Sequence, residues 1–94
     1  MRGILAVPCR LAPDVQVRKE SWGLLFYLQT RHKVCFVRSG DWLYPAHFDG
    51  TWTLENITDD IARRTGAPVE IIEYSLPKLA KHLTSSRMIL DEVR

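Results

Sequence analysis

Residues 18–40 read RKESWGLLFYLQTRHKVCFVRSG, and this stretch decides the predicted fold. Two apolar runs, Gly23 to Leu28 and Val34 to Val37, flank a polar tip at residues 29–33. Apolar runs of this length on either side of a polar tip are typical of a β-hairpin. Because the tip contains no Asn-Gly pair, we expect a loop of about four or five residues.

A further strand is predicted on the N-terminal side of this hairpin. The segment Val15-Gln16-Val17-Arg18 alternates between apolar and polar residues after a Pro-Asp pair, as a half-buried strand does. The nearly continuous apolar run of residues 24–28 favours a central strand. The third strand is predicted over residues 33–38, so the first and third strands are the two edges of the sheet.

Helical patterns replace the strands after Gly40. The aromatic-rich residues 41–48 predict a short first helix that contains Pro45 and is closed by an Asp-Gly turn at residues 49–50. Thr53 is the predicted N-cap of a second helix over residues 54–64, and Gly66 is its predicted C-terminal stop.

The third predicted helix has Pro68 in its first turn, where proline is tolerated. Pro77 lies inside the helical pattern, so we expect the helix to kink there or to split into two pieces. Residues 88–90 predict an extended apolar segment that closes the core. The predicted buried stripe of this helix consists of Ile72, Leu76, Leu79 and Leu83.

Together these elements predict one domain over residues 1–94, with an N-terminal arm (1–13), a sheet (14–39) and helices (40–90). The predicted fold class is α+β. A three-stranded antiparallel sheet is followed by a three-helix bundle, an arrangement like that of a winged helix-turn-helix domain with its strands first.

Composition favours a cytoplasmic protein without a membrane segment. Of the 94 residues, 46% are hydrophobic and 26% are charged, which is ordinary for a globular domain. No apolar run approaches the roughly 18–20 residues that cross a bilayer, and Gly3 to Val7 is too short for the core of a signal peptide.

Charge is unevenly distributed along the chain. Residues 1–38 hold seven Lys and Arg against two acidic residues, whereas residues 39–94 hold six against nine. The pattern fits a basic surface near the sheet that attracts an acidic ligand, and it fits equally a chance segregation of solvated charges.

No group of residues predicts catalysis, a metal site or a cofactor. His32, His47 and His82 fall in a loop and two different helices, without the spacing of metal ligands. Asp59 and Asp60 are adjacent on a helix and diverge by about 100°. They are therefore predicted to lie on a solvated helix face and not to share a proton.

The cysteines and tryptophans are interpreted primarily as structural residues. Cys9 and Cys35 are expected to be reduced, with Cys35 as an apolar filler of its strand. Trp22, Trp42 and Trp52 are expected to anchor the core. The alternative, that one or two of them rim an apolar binding groove, stays open.

The order of the helices raises DNA binding as an alternative function. However, the third helix begins VEIIE, which places Glu70 and Glu73 where phosphate contacts would be needed. The chain also lacks the strongly basic character of small DNA-binding domains. Nucleic acid is therefore not the expected partner. The basic residues on the two helices are Arg63, Arg64, Lys78 and Lys81.

The third strand offers a binding edge for a peptide, because the outer backbone groups of an edge strand lack a partner. A peptide that adds there as a further strand gains affinity from main-chain hydrogen bonds and specificity from side-chain pockets. The third helix would form the other wall and suit a peptide that mixes Leu, Ile or Phe with Asp or Glu. The predicted peptide-binding residues are Val34, Cys35, Phe36, Val37, Arg38, Ile71, Tyr74, Ser75, Lys78 and His82.

Several motifs resemble those of PqqD-like proteins, whose shared module is the RiPP recognition element. VRKESWGLLFY, the charged tip and KVCFVRS resemble the strands of that family. They are most similar to the mycofactocin-system chaperones (MftB type), around Arg18, Glu20, Gly23 and Phe36. FDGTWTLENITDDIA is similar to the PqqD pattern that leads into the second helix, and the resemblance runs from about Pro13 to Leu90. The matching positions in that motif are Asp49, Gly50, Thr53, Ile57 and Ile61.

The resemblance implies a non-catalytic peptide chaperone of natural product biosynthesis. Such proteins bind the leader of a ribosomally synthesised precursor peptide and present it to a modifying enzyme, often a radical SAM maturase. The leader pairs along the third strand and packs against the third helix, here Val34 to Arg38 and Ile71 to His82. Pro45 and Pro77 depart from the family pattern in the first and third helices. Self-pairing of the same edge in a homodimer stays open.

Overall fold

The computed structural model describes residues 8–90, so the predicted arm at residues 1–7, including Gly3 to Val7, lies outside the described residues. The strands in this part of the chain are β1 (Pro8–Arg10), β2 (Val15–Glu20), β3 (Gly23–Leu28), β4 (Lys33–Val37) and β5 (Asp49–Thr53). The α-helices are α1 (Leu54–Thr65) and α2 (Val69–Ser85), and short 3-10 turns span Gln29–Arg31 and Pro45–Phe48.

The predicted three-stranded antiparallel sheet is present, in the order β2-β3-β4. Glu20 lies opposite Gly23 across a two-residue turn, and Leu28 lies opposite Lys33 across a loop that includes the first 3-10 turn. β3 is the central strand, as its apolar run predicts, and Phe26 at its middle is 0% exposed.

The predicted three-helix bundle is wrong, because residues 41–53 form no α-helix and only α1 and α2 are α-helices within residues 8–90. Pro45 has no N–H and steers the preceding residue away from helical geometry, so a 3-10 turn forms instead. The carbonyls of Asp41 and Trp42 accept hydrogen bonds from Arg64, at 2.8 and 2.7 Å, and not from a helix of their own.

A second, two-stranded sheet takes the place of the expected arm and turn. β1 pairs with β5 in antiparallel fashion, although the sequence predicts an N-terminal arm at residues 8–10 and a turn at residues 49–50. The extended segment after α2 joins this sheet, since Ile89 bridges to Leu11 and the Leu90 N–H donates to the Arg10 carbonyl at 2.9 Å. Met88 is 0% exposed, so this segment closes the core as expected.

The two α-helices begin and end near the predicted residues. Thr53 caps α1 in a reciprocal pair, because its hydroxyl accepts from the Asn56 N–H and its own N–H donates to the Asn56 side chain, both at 3.1 Å. Gly66, with a φ of 76°, ends α1 in the left-handed conformation.

α2 is continuous through Pro77, so the predicted split is wrong. Pro77 cannot donate to the carbonyl of Glu73. Glu73 is exposed, and water can satisfy that carbonyl at little cost.

The core lies where the inner face of the three-stranded sheet meets α1, α2 and the Pro45–Phe48 turn. Phe26 and Phe48 pack edge to face, with 5.2 Å between their ring centres, and so connect the sheet to that turn. Neither α1 nor α2, the helices of the described chain, is long and apolar enough to cross a membrane. The core residues that are 0% exposed are Leu24, Phe26, Ile57, Ile61, Ile72, Leu83 and Met88.

Candidate functional site

The register of the sheet determines where the backbone groups of β3 point. Glu20 and Gly23 flank a two-residue turn, and the pair that closes such a hairpin is a hydrogen-bonded pair. Hydrogen-bonded pairs alternate along an antiparallel ladder. The backbone groups of Leu24, Phe26 and Leu28 are therefore directed away from β2 and toward β4.

The same alternation leaves part of β4 unpaired. Leu24, Phe26 and Leu28 lie opposite Val37, Cys35 and Lys33, whose backbone groups face β3. The N–H and C=O groups of Val34 and Phe36 point the other way, to the free edge of the sheet. β4 is the last strand of this sheet among the described residues, so the edge is open for pairing.

A cavity of 470 Å³ lies between β4 and α2, beside this edge. Its floor is apolar, and the segment that follows β4 contributes part of the wall. Four of the predicted site residues line it: Phe36, Val37, Arg38 and Ser75. The other lining residues are Ser39, Trp42, Leu43, Leu76 and Leu79.

One side of α2 lies against β4. His82 Nε2 lies 3.7 Å from Cys35 Sγ, and Ser75 lines the cavity. Ile71 and Lys78 lie four residues before Ser75 and His82, so they share that side of the helix. The structure thus brings these four residues of α2 to the same groove as β4.

Six of the ten predicted residues do not line the cavity: Val34, Cys35, Ile71, Tyr74, Lys78 and His82. Tyr74 is 68% exposed, and Lys78 Nζ lies 3.8 Å from its ring centre. Val34 is 54% exposed and points to the outward face of the sheet. Four of the seven exposed large hydrophobic residues in the described chain, Val34, Phe36, Ile71 and Tyr74, belong to the predicted site. Val34 and Phe36 share one face of β4, and Ile71 and Tyr74 lie about one turn apart on α2.

The electrostatics of the groove favour carboxylates. Among the described residues, those that line the cavity include Arg38 and no acidic residue, and β4 and α2 also carry the exposed Lys33 and Lys78. Exposed charges of this sign steer an acidic partner and select against a basic one.

The reactivity of the Cys35 thiol follows from its surroundings. Cys35 is 8% exposed, and its burial raises the pKa of the thiol, which the nearby Lys33 only partly opposes. The thiol is therefore protonated at neutral pH and a poor nucleophile, in keeping with its predicted role as a filler. Within residues 8–90, no three His, Cys, Asp or Glu side chains meet as metal ligands.

The tryptophans divide between the two roles that the sequence left open. Trp42 lines the cavity, and the Trp22 ring packs edge to face against Phe36 with centres 5.7 Å apart. Trp52 packs against the core and the His47 ring. The number of tryptophans was the only sequence signal for the first two, because their contacts depend on the path of residues 38–44.

A buried polar network holds that path in place. Asp60, predicted to be solvated, is only 9% exposed, while its neighbour Asp59 is exposed. His47 Nε2 lies 3.0 Å from Asp60 Oδ2, and the Tyr44 N–H donates to His47 Nδ1 at 3.0 Å. Arg64 Nε donates to the same Asp60 oxygen at 2.8 Å. Because Arg64 also binds the carbonyls of residues 41 and 42, the network ties the cavity wall to α1.

The protonation states of this network follow from its geometry. Nδ1 of His47 accepts a hydrogen bond, so the ring proton lies on Nε2 and is donated to Asp60. Burial lowers the pKa of His47, and the opposing effect of Asp60 does not restore it. Burial alone would raise the pKa of Asp60, but hydrogen bonds from Arg64 and His47 lower it below its usual value.

Comparison with models of known protein families, with curated proteins and with solved structures found no match to this chain.

Proposed function

We propose that this protein is a non-catalytic peptide-binding chaperone that takes up an extended peptide as a fourth strand beside β4. The observation that carries the proposal is the unpaired edge of β4 next to a cavity of 470 Å³. An open edge supplies backbone hydrogen bonds to any extended chain, and the adjacent cavity adds selectivity for one side chain.

The backbone of the bound peptide pairs with Val34 and Phe36, whose N–H and C=O groups face the free edge. Alternate side chains of the peptide then point inward, toward the cavity between β4 and α2. The basic residues Arg38 and Lys78 favour carboxylates next to the apolar contact.

The identity of the peptide rests on the motif resemblance. The strand motifs and the segment leading into α1 support the leader of a ribosomally synthesised precursor as the ligand. The same resemblance supports a modifying enzyme, a radical SAM maturase, as the partner that receives the bound precursor. A homodimer paired through β4 would occupy the same edge, so self-association and peptide binding exclude each other.

The test is calorimetric titration with leader peptides from short reading frames adjacent to the gene. We expect micromolar or tighter binding that Val34→Pro abolishes, since proline removes the N–H that points to the edge. Val34→Ala is the control for the lost side chain. Lys19→Pro is the matched control on the opposite edge of the sheet. The backbone groups of Arg18 face Leu25 of β3, so those of its neighbour Lys19 point away from β3, to the outer edge of β2.

Peptide binding that Val34→Pro leaves unchanged, in a variant that is folded by circular dichroism, would place the site elsewhere. Failure to bind any of these peptides, combined with salt-sensitive binding to duplex DNA, would contradict the proposal and favour DNA binding as the function.

A further inference from the structure

The outward face of the sheet carries a second pocket at the same edge. It has a volume of 230 Å³ and is lined by Trp22, Phe36 and Arg38. Phe36 and Arg38 point to the same face because they alternate with the buried Val37. Trp22 forms the back of the pocket through its edge-to-face contact with Phe36.

This pocket and the inner cavity adjoin at the edge of β4, because Phe36 and Arg38 line both. Val37 faces the cavity at 3% exposure, whereas Phe36 is 64% exposed on the other face. A strand added beside β4 alternates in the same way, so its consecutive side chains point to opposite faces. A residue opposite Phe36 lies about 5 Å from it, within reach of the outward pocket, and its neighbour opposite Val37 faces the inner cavity.

We propose that the outward pocket is a second specificity site, which selects an aromatic residue adjacent in the peptide to a large aliphatic residue that fills the inner cavity. This inference rests on the proposed function. It adds the class of peptide that the edge of β4 accepts: a peptide that contains an adjacent aliphatic–aromatic pair flanked by acidic residues.

The inner cavity and the outward pocket differ in chemistry, so they select different side chains at two neighbouring positions of the peptide. Trp22 and Phe36 offer edges and faces to a third ring, and the Arg38 guanidinium can stack on it. Besides Phe36 and Arg38, which line both spaces, the inner cavity presents Val37, Leu43 and Leu76, a wall that suits a branched aliphatic side chain. The free protein leaves Phe36 mostly in solvent, and an aromatic ligand side chain would cover it.

The test uses a phage-displayed library of random ten-residue peptides, selected on the wild-type protein and on Phe36→Ser. Phe36 is largely exposed, so the variant is expected to fold. We expect the wild type to enrich peptides with an adjacent aliphatic–aromatic pair. Selection on Phe36→Ser should keep the aliphatic position and lose the aromatic one.

A double-mutant cycle with one enriched synthetic peptide then measures the coupling. Replacing its aromatic residue with Ser should weaken binding to the wild type by about tenfold but to Phe36→Ser by less than about twofold. Arg38→Gln is a second variant and should reduce the same preference. Tyr27→Ser is the matched control, because Tyr27 lies on the same face one strand further from the edge, opposite Val34.

Three results would overturn the inference. Enriched peptides without the aromatic residue, or an aromatic preference that Phe36→Ser does not change, would remove the second site while peptide binding stands. Equal losses in Tyr27→Ser and Phe36→Ser would show a generally adhesive face and no pocket. Enrichment of no peptide on any of the proteins would contradict the proposed function together with this inference.

Discussion

His47 shows how one residue can support a binding groove without lining it. It is 2% exposed and is held between the Tyr44 N–H and the Asp60 carboxylate. Through Asp60 it belongs to the same network as Arg64, which binds the backbone of the segment that carries Trp42. A neutral imidazole fits this position, because protonation at Nδ1 would replace an acceptor with a donor facing the Tyr44 N–H.

Stability should fall in mildly acidic solution because of His47. Its folded-state pKa is lowered from 6.5, so the unfolded chain binds the proton more readily and stability rises with pH in this window. The contribution is complete above pH about 6.5 and declines as pH falls from there toward the folded-state pKa. Urea unfolding at intervals from pH 5 to 7.5 measures this slope.

His47→Gln is expected to flatten that slope and to cost about 1–3 kcal/mol at neutral pH, since it leaves the Tyr44 N–H without its acceptor. His82→Gln, at an exposed position in α2, is the control and should keep the slope. An unchanged slope in His47→Gln would contradict the assignment of a buried neutral imidazole.

At the scale of elements, the sheet depends on a close approach of its strands at Gly23. Gly23 has a φ of +149°, and a Cβ at this position would lie 1.9 Å from the Val37 carbonyl oxygen and 2.6 Å from the Ser39 nitrogen. Both atoms belong to the backbone, so neither can move without displacing the end of β4. The position of Gly23 thus fixes the end of the edge strand that carries the proposed site.

Gly23→Ala should therefore destabilise the protein by at least about 3 kcal/mol. Gly40→Ala is the matched control: Gly40 also has a positive φ, 53°, but a methyl group added there would meet nothing within 4 Å, so its cost should be about 1–2 kcal/mol. Guanidinium unfolding midpoints compare the two. Equal losses would contradict a specific clash with β4.

Some of these elements could be predicted from the sequence, and others could not. β2 follows from local alternation, β3 and β4 follow from apolar runs on either side of a polar tip, and α1 follows from its cap residues, because these signals are local. β1 and β5 are short and join residues some forty positions apart, so no local period marks them. Pro45 and Pro77 look alike in the sequence, yet only Pro77 lies in an α-helix, where the buried Leu76 and Ala80 pack on both sides of it.

The candidate site, too, could be predicted only in part from the sequence. The edge strand was predictable from its apolar run and one side of α2 from helical spacing, and His82 and Cys35 lie 3.7 Å apart. Trp22 and Trp42 could not be placed at the site from sequence, because their positions depend on turns that residues far along the chain hold. The predicted solvation of Asp60 is wrong for a similar reason: Arg64 is a neighbour in the same helix, but His47 comes from a turn outside α1.

For the whole molecule, the segregated charge of the sequence is relevant at the groove. The β4 side carries Lys33 and Arg38, and α2 contributes Lys78, while Glu70 and Glu73 lie near the start of α2. A groove with a few cations suits an acidic peptide. It lacks the dense positive surface that phosphate backbones require.

The salt dependence of the binding affinity distinguishes an acidic peptide from duplex DNA as the partner. Peptide binding should weaken by only about two- to fivefold between 50 and 200 mM salt, since few charge pairs contribute and they are exposed. Binding to duplex DNA through many phosphate contacts would instead fall by about 10³–10⁵-fold over the same range. Titrations in a salt series, with a charge-neutral peptide as the control, make the comparison.

Amide hydrogen exchange, followed residue by residue by NMR with and without an enriched or leader peptide, tests the central claim most directly. We predict that the Val34 and Phe36 amides exchange quickly in the free protein and become protected when the peptide binds. The Cys35 and Val37 amides, which face β3, should be protected in both states. Protection of Val34 and Phe36 that is unchanged by a bound peptide would contradict strand addition at β4.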